Sequence, residues 1–168
     1  MQYPMMLSKK DSWETPKELF NLLDREFHFT LDPCATPQNT KVKNNYYTKK
    51  DNGLIQDWGG QSVFMNPPYG KGGRLIKAWV KKAFDESHKP KTIVVCLLPC
   101  RTDTPWFHNW VLKAKEIRFI KGRLRFSRSK NSAPFPTCVV VFDGSDGSPK
   151  VSSLDLKRST VSSKLDNY

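Results

Sequence analysis

An amide, two prolines and an aromatic ring directly follow a short apolar run. The chain reads VFM at 63–65 and then Asn66, Pro67, Pro68 and Tyr69. The prolines fix two φ angles and cannot donate to a sheet, which predicts a stiff loop at the end of a buried strand. This loop would offer the Asn66 side-chain oxygen and the Pro67 carbonyl as hydrogen-bond acceptors, with Tyr69 as a stacking surface.

Two convergent acceptors beside a stacking ring suit an aromatic amino group. When both N–H hydrogens are accepted, the nitrogen lone pair becomes localised and the nitrogen becomes a better nucleophile. The acceptors also stabilise the positive charge that develops on nitrogen during attack. A nucleobase held in this way must leave the duplex, because its amino group is otherwise paired. The tetrapeptide therefore predicts chemistry at the exocyclic nitrogen of an unstacked base.

Residues 66–69 resemble the [D/N/S]-P-P-[Y/F/W] motif of amino methyltransferases that use S-adenosylmethionine. With further segments in the same order, they resemble the small phage-type DNA N6-adenine methyltransferases of the Dam-like group. The resemblance covers about residues 11–143. It implies methyl transfer from S-adenosylmethionine to N6 of adenine in DNA, catalysed by Asn66, Pro67, Pro68 and Tyr69. The further segments are WETP (13–16), LDPCAT (31–36), DNGLIQDW (51–58), LLPCRTDTPWF (97–107) and GRLRF (122–126).

The resemblance also implies which residues contact the methionine part of the cofactor. Asp32, at the end of the first strand, would accept from the methionine ammonium or from a hydroxyl. Thr15 and Pro16 would contact the methionine carboxylate, although TPKE (15–18) also has the pattern of a helix start capped by Thr15.

The nucleoside part of the cofactor has its own candidates. Asp57 would accept from the cofactor's adenine amino group, and Asp51 competes for this role or for a ribose contact. The DPCAT segment lacks the G-x-G turn that is usual in the first cofactor motif. The small residues Cys34 and Ala35 would instead allow the cofactor to approach closely.

Hydrophobic periodicity predicts alternating helices and strands, hence an α/β fold with a largely parallel sheet. The resemblance narrows this to a Rossmann-like S-adenosylmethionine-dependent methyltransferase fold with an antiparallel C-terminal hairpin at one sheet edge. The fold should be trimmed, because residues 36–61 are too few for two strand–helix crossovers. The predicted strands are 27–32, 62–66, 92–98, 116–120 and 137–142, with helices from about 15, at about 73–87 and from 104.

The chain of 168 residues fits one domain of ordinary size. We expect residues 1–143 to form the methyltransferase domain. From 144 to 168 the sequence is rich in Ser, Gly and Lys with little apolar content, which predicts a flexible tail.

A formal net charge of +12 favours a polyanionic partner, and we expect double-stranded DNA. Basic residues flank the catalytic loop, follow the strand at 92–98 and crowd the segment 121–130, where they alternate with aromatic residues. A solvated hairpin tip would also explain that segment. The DNA-binding candidates are Lys71, Arg74, Arg101, Arg123, Arg125, Arg128 and Lys130.

The sequence leaves several alternatives open. The same motif occurs in enzymes that methylate an amino or amide nitrogen in RNA or protein, and a non-catalytic DNA-binding anti-restriction protein is another reading. The histidines and cysteines lack zinc-ligand spacing, so we expect no metal. No apolar run could span a bilayer, and the expected location is the cytoplasm, that of a bacterial host if the chain is phage-encoded. A homodimer is compatible with the sequence.

Overall fold

A computed structural model of the chain describes residues 14–70, 73–126 and 132–158. Helices and strands alternate along the first two thirds of this part, as the periodicity predicted. A 3-10 turn, Val111–Lys113, follows the third helix. The elements are α1 (Lys17–Phe27), β1 (Ser62–Met65), α2 (Arg74–Ser87), β2 (Ile93–Pro99), α3 (Pro105–Asn109), β3 (Glu116–Ile120), β4 (Thr137–Phe142) and β5 (Lys150–Leu154).

The five strands form one sheet in the order β1-β2-β4-β3-β5. β1 pairs with β2 in parallel, β3 pairs with β5 in parallel, and β4 runs antiparallel to both β2 and β3. Four strands therefore share one direction, in agreement with the largely parallel sheet that was predicted. Their carboxyl ends lie at the same end of the sheet, and Asn66 directly follows the first of them.

The C-terminal hairpin is antiparallel as predicted, but its expected position at a sheet edge is wrong. β4 lies between β2 and β3, and all six of its residues are buried, as expected for a strand covered on both faces. The edge beside β3 is taken by β5, inside the segment expected to be a flexible tail. Its sequence, KVSSL, is mostly exposed, so backbone pairing holds it and apolar composition could not reveal it.

The strand predicted at 27–32 is much shorter in the structure. α1 continues to Phe27, which removes the first part of the predicted strand. Leu31 forms an isolated parallel bridge to Val63 of β1. This bridge is sufficient to bring Asp32 to the same end of the sheet as the end of β1.

Helices cover both faces of the sheet, because successive strand residues point to opposite sides. Val63 and Met65 pack in a cluster with apolar residues of α2 and α3, whereas Phe64 packs in a second cluster with α1. The result is a three-layer α/β arrangement. Within the part of the chain that the structure describes, no helix has the length and apolar character of a membrane span.

Candidate active site

Asn66 is held by two segments that are distant in sequence. Its side-chain Nδ2 donates a hydrogen bond to Thr15 Oγ1 at 3.0 Å, and Thr15 is buried. The Cys34 thiol donates to the backbone carbonyl of Asn66, with a distance of 3.3 Å from Sγ to O. The side-chain amide therefore has a defined orientation, with its nitrogen directed at the start of α1.

The Thr15 cap that the sequence predicted is wrong. α1 begins at Lys17, with Pro16 as the N-cap residue, and no side chain caps the helix. The Thr15 hydroxyl accepts from Asn66 instead, so this residue connects the first helix to the end of β1. Pro16 is buried at the same junction.

A cavity of about 590 Å³ opens beside this amide. The volume is within the range of pockets that bind a nucleoside-sized ligand. It is lined by seven of the predicted site residues: Thr15, Asp32, Cys34, Ala35, Asn66, Pro67 and Pro68. Apolar and aromatic side chains, among them Leu54, Phe64, Leu75 and Trp79, complete much of the wall.

Asp32 is the most perturbed carboxylate of the cavity. Its side chain is 6% exposed, and this burial raises the pKa of Asp32 to about 6. The Cys34 backbone N–H donates to Asp32 Oδ1 at 3.4 Å, and this hydrogen bond and the charge of Lys41 act in the opposite direction. Burial has the larger effect, so the ionised form of Asp32 is disfavoured. A hydrogen-bond donor or a cation in the cavity would stabilise it.

Asp51 and Asp57 do not line the cavity. The Asp51 carboxylate accepts from the backbone N–H of Thr48 at 2.8 Å and from its hydroxyl at 2.7 Å, and these bonds lower the pKa of Asp51. Asp57 accepts from the backbone N–H of Gly59 at 2.8 Å and forms an ion pair with Lys89 at 2.8 Å, and these contacts lower the pKa of Asp57. Both residues thus stabilise local turns, a use of Asp that is common and needs no ligand.

Tyr69 is turned away from the cavity in this structure. Its ring packs edge to face on Phe135, with 5.6 Å between the centroids. Burial raises the pKa of the Tyr69 phenol well above its usual range. The hydroxyl is buried and has no hydrogen-bond partner among the described residues, which is an energetically unfavourable arrangement. The expected stacking surface is therefore not presented in this conformation.

Sequence reasoning missed two polar contacts between distant segments, and one of them lines the cavity. Glu14 and Lys41 form an ion pair, with 3.1 Å between Oε1 and Nζ, and both line the cavity wall. Glu86, which is buried, accepts from the backbone N–H of Trp58 at 2.8 Å, and the Trp58 indole donates to the Gly53 carbonyl at 3.0 Å. No local signal marked either group, because the partners are 27 and 28 residues apart.

Four of the predicted DNA-binding residues are described, and all four are exposed: Arg74, Arg101, Arg123 and Arg125. Arg101 follows the carboxyl end of β2. The pKa of Cys100 is lowered mainly by its hydrogen bond with Cys138 and to a smaller extent by the charge of Arg123, which therefore lies near it. Both therefore lie at the end of the sheet where Asn66 is found. Lys71, Arg128 and Lys130 lie outside the described residues.

Among residues 14–70, 73–126 and 132–158, no group of three or more His, Cys, Asp or Glu side chains is arranged to hold a metal ion.

Comparison with known proteins gives a consistent family. A family model described as DNA N-6-adenine-methyltransferase (Dam) matches residues 4–152. A DNA N-6-adenine-methyltransferase of Haemophilus phage HP1 (strain HP1c1) is 36% identical over 163 residues, which cover 92% of this chain and 88% of that protein. A protein of the same name from Escherichia phage T1 is 32% identical over 117 residues, covering 68% of this chain and 47% of that protein. The chain therefore belongs to the Dam family of DNA N-6-adenine methyltransferases.

Proposed function

We propose that the cavity beside Asn66 binds S-adenosylmethionine. The loop 66–69 then holds an adenine that has left the DNA duplex, with its N6 amino group next to the methyl group of S-adenosylmethionine. Membership of the family makes the chain an adenine-specific DNA methyltransferase, whose substrate is DNA and which requires a methyl donor. The observation that carries the proposal is the Asn66 amide, fixed by Thr15 at the wall of a nucleoside-sized cavity.

The lining of the cavity fits this donor. Trp79 and Leu54 offer apolar surface for a purine ring, and the buried Asp32 carboxylate can accept from an ammonium or a hydroxyl. Ala35 and Cys34 are small, which allows close approach to the turn after Asp32. When bound, S-adenosylmethionine supplies a methyl group activated by a sulfonium.

The chain itself has to bind and polarise the amino group. We assign the Asn66 side-chain oxygen and the Pro67 carbonyl as acceptors for the two N–H hydrogens. Because Pro67 and Pro68 restrict the backbone, these acceptors need little reorganisation when positive charge develops on nitrogen. With the donor bound, these two acceptors would hold the amino nitrogen and stabilise the positive charge that develops on it until its surplus proton is released to water.

Tyr69 has to move before it can stack on the base. In the structure its ring contacts Phe135, and its hydroxyl is buried without a described partner. Rotation toward the cavity would hydrate this hydroxyl and so recover part of the cost of leaving the apolar contact. We propose that stacking of the incoming base on the Tyr69 ring compensates for the rest of this free-energy cost.

The exposed basic residues at the same end of the sheet are the proposed path for the DNA backbone. Arg101, Arg123 and Arg125 would contact phosphates, while Arg74 lies at the start of α2, next to the catalytic loop. These contacts position the duplex and do not by themselves read a sequence.

The proposal is tested by incubating the purified chain with methyl-labelled S-adenosylmethionine and separate DNA, RNA and protein acceptors. We expect label at N6 of adenine in DNA, and a reduction of about 100-fold or more for Asn66→Ala. This variant should bind S-adenosylhomocysteine nearly as well as the wild type, because its loss concerns the acceptor side.

Asn44→Ala is the matched control, since Asn44 is exposed and does not line the cavity. Label in RNA or protein with none in adenine would refute the substrate assignment. Equal loss of activity and cofactor binding in Asn66→Ala would show that Asn66 has a structural role.

A further inference from the structure

The turn that connects β2 to α3, residues 100–104, is fixed by hydrogen bonds to its own carbonyl groups. The Arg101 carbonyl accepts from the Thr104 hydroxyl at 2.7 Å. The Thr102 carbonyl accepts from Nε2 of His108, also at 2.7 Å. Because these bonds occupy the backbone of the turn, its side chains are presented in a defined geometry.

This turn lies close to the proposed catalytic loop. β1 and β2 are parallel neighbours, so the loop and the turn leave the sheet at the same end. The Cys100 N–H donates at 2.9 Å to the carbonyl of Pro136, the residue after the Phe135 that contacts Tyr69. Cys100 and Tyr69 also pack against one apolar cluster, which contains Cys138. A base pair beside an adenine bound at the loop is therefore within reach of the turn.

The turn has an exposed carboxylate that contact with the DNA backbone does not explain. Arg101, Thr102 and Asp103 are all exposed, and Arg101 suits a phosphate, as proposed above. Asp103 would be repelled by phosphates. Its carboxylate forms no ion pair or hydrogen bond with any residue that the structure describes, and α3 has no side-chain cap. A group of this kind on a surface that faces DNA needs a hydrogen-bond donor other than the protein.

The edges of the bases in the major groove supply such donors. Cytosine presents its N4 amino group there, and adenine presents its N6 amino group beside the N7 acceptor. Guanine and thymine present only acceptors and the thymine methyl group. Because N7 of adenine repels a carboxylate oxygen, cytosine is the base that a carboxylate fits best.

We propose, on the basis of the function proposed above, that Asp103 is a specificity-determining residue that accepts a hydrogen bond from N4 of a cytosine in a base pair next to the target adenine. Arg101 binds the backbone and sets the position of the turn over the groove, while Asp103 reads the base. Since the turn is fixed beside the catalytic loop, the base pair that is read lies at a constant distance from the adenine.

Duplexes that each contain one target adenine test this assignment. The base pair on the 5′ side of the target, and in a second set the pair on its 3′ side, is varied through all four possibilities. Initial rates are measured with methyl-labelled S-adenosylmethionine, and label is counted at the target adenine only. At one of these positions, we expect the wild-type chain to prefer a pair with cytosine on one strand by about tenfold or more.

N4-methylcytosine provides a probe of the donor itself. It keeps the hydrogen that pairs with guanine and has a methyl group in place of the hydrogen that faces the major groove. We expect this base to abolish the preference for cytosine.

Two substitutions of Asp103 give different results if it reads a base. An Asn side chain can bond N6 and N7 of adenine together, so Asp103→Asn should move the preference from cytosine to adenine at the same position. Asp103→Ala should lose the preference. Both variants should bind S-adenosylhomocysteine as the wild type does and should methylate the non-preferred duplexes at the wild-type rate. Asp146→Asn is the matched control, because Asp146 is exposed and follows β4, whose carboxyl end lies at the opposite end of the sheet.

The outcomes distinguish this assignment from the proposed function. Adenine methylation without a preference for cytosine would refute the role of Asp103 and leave the proposed function intact. The same conclusion follows if the preference persists in Asp103→Ala, or if both variants lose activity equally on all duplexes. If the wild-type chain labels no adenine in any duplex, the proposed function fails together with the assignment.

Discussion

Asn66 illustrates how a single side chain acquires its chemistry from residues far along the chain. The sequence alone predicted its amide as an acceptor, and the structure shows what orients it: a hydrogen bond from Nδ2 to the hydroxyl of Thr15, 51 residues earlier. A primary amide that donates through its nitrogen has its oxygen directed elsewhere. Thr15 therefore orients the side chain of Asn66 in the loop that we propose to be catalytic.

Asp32 is the residue at which stability and binding oppose each other. The pKa of Asp32 is about 6 in the folded chain against 3.8 in the unfolded one, because the carboxyl is buried. The folded state holds the proton more tightly, so stability is lost as pH rises from about 4 to about 6. The difference corresponds to at most about 3 kcal/mol at neutral pH.

We therefore expect Asp32→Asn to raise the Tm of the ligand-free protein at pH 7.5 and to reduce the fall in Tm between pH 4 and pH 6. The same change should weaken S-adenosylmethionine binding. Thermal unfolding across this pH range, with Asp103→Asn as an exposed control, measures the effect. An unchanged pH profile in Asp32→Asn would mean that the carboxyl ionises normally in the folded state.

The predicted site residues fall into two groups: those that line the cavity and those that stabilise local turns instead. Asn66, Asp32 and Cys34 meet at one cavity because strand ends in a parallel sheet converge. Asp51 and Asp57 were assigned from their positions in a motif. In the structure, Asp51 accepts from Thr48 in a local turn, and Asp57 accepts from Gly59 and pairs with Lys89. Competition from local turn chemistry is not visible in a motif.

At the scale of elements, runs of apolar residues predicted strands better than overall composition did. The apolar runs at 92–98 and 137–142 predicted two strands, but the second was expected at a sheet edge and lies between β2 and β3. β5 was missed because an edge strand needs backbone partners more than apolar side chains. The strand expected at 27–32 was lost because α1 continued to Phe27.

β5 gives the element-scale prediction. All five of its residues pair in parallel with β3, from Glu116↔Lys150 to Ile120↔Leu154. Deleting residues 144–168 removes this strand and leaves β3 as an unpaired edge, so we expect the Tm to fall on the order of 5 °C or more and aggregation to increase.

Deleting residues 159–168 alone keeps β5 and serves as the control in the same thermal unfolding experiment. The comparison also tests the domain boundary that composition placed after Asp143. Equal Tm values for the two deletions would mean that β5 contributes nothing to the stability of the sheet.

At the scale of the whole molecule, charge and topology act together. The net charge of +12 attracts DNA in general, and the sheet determines where the duplex should lie. The carboxyl ends of four strands, the cavity, Arg101 and Arg123 occupy the same end of the sheet. In the segment that follows β3, exposed and buried residues alternate. Arg123 and Arg125 are exposed, whereas Leu124 and Phe126 pack in the core.

We expect the Arg123→Ala, Arg125→Ala double variant to weaken binding to all duplex sequences alike. If each arginine contacts one phosphate, the slope of log K against log salt should become less steep by about 2. Lys91→Gln is a suitable control, because Lys91 precedes β2 at the opposite end of the sheet. Fluorescence anisotropy at several salt concentrations gives the slopes, and identical slopes for wild type and double variant would exclude these arginines from the interface.

The contact between Tyr69 and Phe135 has a consequence for how the enzyme would search a genome. Phe135 belongs to the β3–β4 connection, which also carries Arg123 and Arg125, whereas Tyr69 belongs to the catalytic loop. On the role proposed for Tyr69, a chain travelling along DNA with this contact closed would lack one wall of the proposed base-binding site, so passing adenines would stay paired. The Tyr69 ring would be released only by a duplex that displaces the β3–β4 connection. Base pairs would then be opened at few positions along the DNA.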